Sequence, residues 1–148
     1  MRVIKFRGMG IDGAWHAGNL AIISKKVDHI EAGSYISNSA GIPFAYQVRP
    51  ETVGMFTGLL DKNGKEIYEG DLVRIVYTDW PSKSHDDKRT LDEYLEAISE
   101  VAEIFYRAPS FYASFEPGAE FKACSDMCPG QHGLIWVIGT IYENPELL

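Results

Sequence analysis

Cys124-Ser-Asp-Met-Cys128-Pro-Gly-Gln-His132 gathers two thiols and an imidazole in one short stretch. Thiolate and imidazole are zinc ligands, and a structural zinc takes four of them. Only three are local, so His85 or Asp126 would have to complete the set. The C-x3-C spacing is also wider than that of a zinc knuckle. The same cysteines could instead form a disulfide, which a reducing cytoplasm disfavours, or be unliganded loop or packed residues. The last reading is preferred, and Cys124, Cys128 and His132 stand as the metal candidates. A nucleophilic pair of either cysteine with His16, His29, His85 or His132 is available by count, but no local signature surrounds Cys124 or Cys128. No catalytic residue and no cofactor is assigned.

A second group is the carboxylate run Glu66, Glu69 and Asp71. Paired carboxylates do acid–base work or bind hard cations. On a strand Glu69 and Asp71 would share a face, but Gly70 between them can break that geometry. The simpler expectation is that Asp71 hydrogen-bonds the turn while the glutamates face water. Gly8-Met-Gly-Ile-Asp-Gly13 has the look of a phosphate loop but lacks the following Lys-Ser/Thr and a helix, so it reads as a turn. Arg2, Lys5, Arg7, Lys25 and Lys26, with Phe6 and Trp15, form a small basic-aromatic set suited to single-stranded nucleic acid. Trp80, in a polar loop, is a candidate partner contact.

The elements that must position these residues are mostly short strands. Residues 2–7 alternate as a first strand, Asp12-Gly13 turns the chain, and residues 20–24 form a second. Residues 25–45 read as irregular. Residues 46–49 return to strand before Pro50, and 51–54 form one helical turn. Residues 56–60 and 66–68 make a hairpin about Asp61-Lys-Asn-Gly64, because Asn63-Gly64 is the strongest short-range hairpin signal. Residues 72–78 form a long strand, and 79–89 are a polar loop. Thr90-Leu-Asp-Glu93 is a capping box, and Leu91, Tyr94, Leu95 and Ile98 follow at helical spacing, so a helix spans about 90–99. Residues 101–107 and 111–115 form a hairpin, 116–132 a loop, and 134–142 a last strand interrupted by Gly139. The fold class is mainly β: a small barrel-like or strongly bent antiparallel sheet with one short inserted helix.

A chain of 148 residues fits one domain, 1–148, large enough for a core without disulfides. The 45% apolar and 24% charged content is that of globular proteins, and eight Tyr and seven Phe lean towards β-structure. The formal net charge of −7 repels phosphate and disfavours broad nucleic-acid binding. It suits solubility, a basic partner or DNA mimicry. Two cysteines do not make a secreted disulfide scaffold, and the N-terminus lacks the apolar region of a signal peptide. The longest apolar run, Leu134 to Ile138, is too short to span a bilayer. The expectation is a cytoplasmic protein away from membranes.

Two stretches carry a further signal: Thr57-Gly-Leu-Leu-Asp-Lys-Asn-Gly-Lys-Glu-Ile-Tyr-Glu-Gly-Asp-Leu-Val73, and Ile138-Gly-Thr-Ile-Tyr-Glu-Asn-Pro-Glu-Leu-Leu148. They resemble the signature of the YopX family, small proteins encoded by bacteriophages and prophages. Its pattern runs approximately TGL-x-DKNGKEIYEGD-hydrophobic-V and closes with IGN-IYENPELL. Lys5-Phe-Arg-Gly8, Trp15 with Gly18-Asn-Leu20, and Val48 with Pro50-Glu-Thr-Val-Gly54 are similar too. Met55, Leu60 and Thr140 depart from the commonest residues, and 79–100 reads as an insertion relative to shorter members. The matching positions Gly58, Asn63, Gly64, Tyr68, Gly70, Asp71, Gly139, Tyr142, Asn144 and Pro145 are turn and strand residues, so they read as a fold motif. The resemblance implies a small β-barrel-like domain with peripheral additions, and it brings no activity, substrate or cofactor. The expected function is a phage or prophage accessory protein, a non-enzymatic module binding a protein partner or a second copy. The alternatives are a nucleic-acid-associated β-barrel module and an enzyme whose site is assembled only in space.

Overall fold

The computed structural model describes residues 3–38, 44–77, 88–97, 99–107, 110–114, 122–123 and 133–148. They form two antiparallel sheets, and the chain divides into two compact units, Met1–Gly58 and Leu59–Leu148.

In the first unit β1 (Phe6–Met9) and β2 (Trp15–Ile23) form a hairpin. Its turn is built by Asp12, whose Oδ1 accepts the Ala14 N–H at 3.1 Å. The first strand, expected over residues 2–7, runs Phe6–Met9, and Val3 and Ile4 are exposed. β2 continues into β3 (Gly33–Ser37) and then β4 (Ala45–Val48). β3 falls inside the segment expected to be irregular, and this is a correction. Its run of Gly and Ser hides the alternation: only Ser34 and Ile36 turn inward, and Ile36 is fully buried. Val27 and Ile30 exchange backbone hydrogen bonds of 3.0 and 2.9 Å around Asp28-His29. Asp28 there adopts φ +55°, a conformation Asp tolerates better than most residues.

The sheet order is β4-β3-β2-β1 followed by β5 (Gly54–Leu60) and β6 (Glu66–Tyr68). β5 crosses the boundary between the units. The sheet bends until the end of β4 meets the end of β1, through a bridge between Gly10 and Val48 and an Arg49 N–H donated to the Met9 carbonyl at 2.8 Å. Among the described residues it does not close into a barrel. Gly8 allows the approach, since a Cβ there would lie 2.8 Å from Val48 Cγ2. The buried Thr52 sits in a 3-10 turn at Pro50–Thr52. Its hydroxyl accepts the Met9 N–H at 2.9 Å and donates to the Arg49 carbonyl at 2.7 Å.

In the second unit the sheet order is β10-β9-β8-β7-β11, with β7 (Asp71–Tyr77), β8 (Glu100–Arg107), β9 (Ser110–Ser114), β10 (Lys122–Ala123) and β11 (Gly133–Thr140). β10 is a short strand inside the expected 116–132 loop. β7 is buried on both faces from Asp71 to Val73 and again at Ile75 and Val76, while inward positions alternate with outward ones along β8; Ile67, Leu72, Val73, Ile75, Ala102, Ile104, Ala113 and Ile135 make the core. Each Leu or Ile so buried contributes about 1.5–3 kcal/mol of transfer free energy. The one α-helix among the described residues, α1 (Leu91–Ala97), lies within the expected span. Its capping box is formed: Thr90 Oγ1 accepts the Glu93 N–H at 3.2 Å, and Glu93 Oε2 accepts the Thr90 N–H at 2.8 Å. Among the described residues no helix is long and apolar enough to cross a membrane.

Candidate functional site

The middle motif and the tail meet in the second unit. Asp71 pairs with Thr140 and Leu72 with Gly139 at the junction of β7 and β11, where the register shifts between Val137 and Gly139. Gly70, at φ +84°, donates its N–H to the Ile104 carbonyl at 2.8 Å and accepts the Ile141 N–H at 3.0 Å. The Tyr142 ring lies over it, 3.0 Å from where a Cβ would be. Gly139 has no room for a side chain because Asn144 packs against it. Thr140 caps the last turn: its hydroxyl accepts the Glu143 N–H at 3.1 Å, and its carbonyl accepts the Asn144 N–H at 2.8 Å. Pro145 then opens a 3-10 turn at Pro145–Leu147, where its missing N–H does no harm.

At the other end of the motif, the Asp61 N–H donates to Lys65 at 2.7 Å and the Gly64 N–H donates to Asp61 at 2.9 Å. Only Gly64 in this turn has positive φ, at +80°. Asn63-Gly64 is therefore not the two-residue mirror turn but part of a three-residue loop with glycine in its left-handed position. Asp61, 5% exposed, organises it. Its Oδ1 accepts the N–H groups of Asn63 and Lys65, both at 2.8 Å, and its Oδ2 accepts the Val137 N–H on β11 at 3.1 Å. The sequence reading took Asp61 only as a turn residue. An Asp two residues before Asn-Gly is a signal for the first two bonds; nothing local announces the third. Gly58 also has positive φ, +89°, within β5.

Asp71 is fully buried, and its Oδ2 accepts the Tyr68 N–H at 2.8 Å. Tyr68 is buried as well and donates its hydroxyl to Glu66 Oε2 at 2.7 Å. Burial pushes the Glu103 carboxyl above its ordinary range, and the neighbouring Glu69 carboxylate pushes it further. The carboxylate run is thus divided: Asp71 inward on backbone, Glu66 on Tyr68, and Glu69 beside Glu103.

The basic-aromatic set of the first unit is partly occupied by its own members. Arg7 is 9% exposed and its guanidinium lies over the Trp15 ring at 4.5 Å. Lys26 is ion-paired with Glu31. His16 stacks on Tyr46, with centroids 3.8 Å apart. Among the described residues no cluster of three His, Cys, Asp or Glu could hold a metal ion. Cys124, Cys128 and His132, with Asp126, His85 and Trp80, lie outside the described residues.

The family model described as "YopX protein" matches residues 5–148. The crystal structure of protein EF1440 from Enterococcus faecalis is similar at 24% identity and a TM-score of 0.49, over 100% of this chain and 99% of that one. No curated protein matches the chain.

Proposed function

Since the chain belongs to the YopX family, we propose that it is a phage or prophage accessory protein acting in the bacterial cytoplasm as a non-enzymatic binding module. We take 1–148 as one family domain in which 79–100, with α1, is an insertion. One observation carries this reading. The two aspartates of the family motif, Asp61 and Asp71, are buried and accept N–H groups of their own backbone. A general acid or base must reach a substrate proton within hydrogen-bond distance; these carboxylates instead hold turns. On this reading the motif shapes a scaffold, and binding falls to the surface that the scaffold carries.

The test is cross-linking and capture by the tagged chain in phage-induced cells, followed by titration calorimetry with the purified partner. A stoichiometric complex without turnover is expected. A captured small molecule that the purified chain converts to product would overturn the reading.

A second reading, a nucleic-acid-associated module, draws on the division of charge. Residues 1–58 hold six Lys and Arg against four Asp and Glu, net +2; residues 59–148 hold eight against seventeen, net −9. The acidic total therefore does not describe the first unit. This reading requires a gel shift of labelled single strands that weakens as salt rises; the absence of any shift at low salt removes it.

A further inference from the structure

β11 is the terminal strand of the second sheet among the described residues. It is also the segment most suited to pairing with another strand. Leu134-Ile-Trp-Val-Ile138 is apolar throughout, β-branched or aromatic at four of five positions, and free of charge and proline. In an antiparallel ladder, alternate residues turn their backbone groups away from the neighbour. Those of Ile135 and Val137 point away from β7, and one group of each, the Ile135 carbonyl and the Val137 N–H, is taken by the Asp61 turn. The Lys62 N–H donates to the Ile135 carbonyl at 2.8 Å, and the Val137 N–H donates to Asp61 Oδ2 at 3.1 Å. The Lys62 ammonium lies over the intervening Trp136 ring at 4.4 Å.

From this juxtaposition we propose that the Asp61 turn is an edge guard: it occupies the outer edge of β11 and keeps a second copy of the chain from pairing there. The occupant it excludes is another β11. An antiparallel pair of these strands would set uncharged apolar side chains opposite one another along the whole segment. Exposed edges of this kind are where natural sheets place charge. Here the guard is one buried carboxylate and one lysine, supplied by a hairpin more than seventy positions earlier in the chain. This goes beyond the binding reading and does not depend on it.

The test is the mass in solution, by light scattering over a concentration series, of the full chain and three variants. Asp61→Asn keeps one carbonyl oxygen for Asn63 and Lys65 but turns an amide N–H towards Val137, so it opens the edge while sparing the turn. It should raise the mass to at least twice that of the unaltered chain at high concentration. Val137→Pro in that background removes the outward N–H at a position where an edge strand tolerates proline, and it should return the mass to the starting value. Lys62→Pro, at the turn position that favours proline, frees the Ile135 carbonyl independently and should also associate; it decides the matter if Asp61→Asn does not fold. A folded Asp61→Asn or Lys62→Pro chain with unaltered mass overturns the proposal. So does association that persists after Val137→Pro.

Discussion

Gly64 and Gly139 are needed for different reasons, which substitutions can separate. A Cβ at Gly64 would meet nothing within 4 Å, so only the backbone at φ +80° objects to a side chain. Gly64→Val should lower stability by about 1–3 kcal/mol in thermal melting, and Gly64→Asn by much less, because Asn visits that conformation readily. At Gly139 the obstacle is the Asn144 side chain, so Gly139→Ala in an Asn144→Gly background should be milder than Gly139→Ala alone. Glu103 gives a pH prediction. Its raised carboxyl binds a proton more tightly in the folded chain than in the unfolded one. The resulting stability is complete below the ordinary carboxyl range and is lost as pH rises through the raised value. Glu103→Gln should therefore melt higher than the unaltered chain at neutral pH, with the gap closing as pH falls.

At the scale of elements, what local chemistry announces was legible. The capping box at Thr90 and Glu93 gave α1, and the bulge at Gly139 followed from a glycine inside a strand pattern. The hairpin was placed by Asn-Gly, although its loop is one residue longer than that dipeptide alone suggests. β3 escaped because its inward positions are one serine and one isoleucine between Gly33, Tyr35 and Ser37, and the start of β2 because Ala17 and Gly18 blur its alternation. The candidate site was half visible. Tyr68, Gly70 and Asp71 were named from the motif, but the joining of Gly70 to Ile141 and of Asp61 to Val137 bridges separations that no local pattern reports. The β7–β11 junction should be the stability centre of its unit. Leu72, fully buried and paired with Glu103 on one side and Gly139 on the other, should cost about 2–5 kcal/mol as Leu72→Ala in urea unfolding.

For the whole molecule, the net charge of −7 is the sum of two unlike parts, and the excess of nine negative charges sits in residues 59–148. Like charges this dense repel one another and are screened over about 8 Å at physiological ionic strength. Added sodium chloride should raise the melting temperature of the chain, and the rise should shrink when exposed glutamates of the second unit are changed to glutamine. A melting temperature indifferent to salt would show that the charges are spaced too widely to matter.

The partnership of β7 with β11 also sets an order of events during synthesis. Strands β1 to β5 have all been made by residue 60, whereas β7 waits for residues 133–140 before it gains its outer neighbour. At elongation rates of roughly 5–20 residues per second, the span from residue 60 to residue 140 takes on the order of 4–16 s. For those seconds the nascent chain holds a finished first unit, while the carboxylate of Asp61 is still without the amide it will later receive.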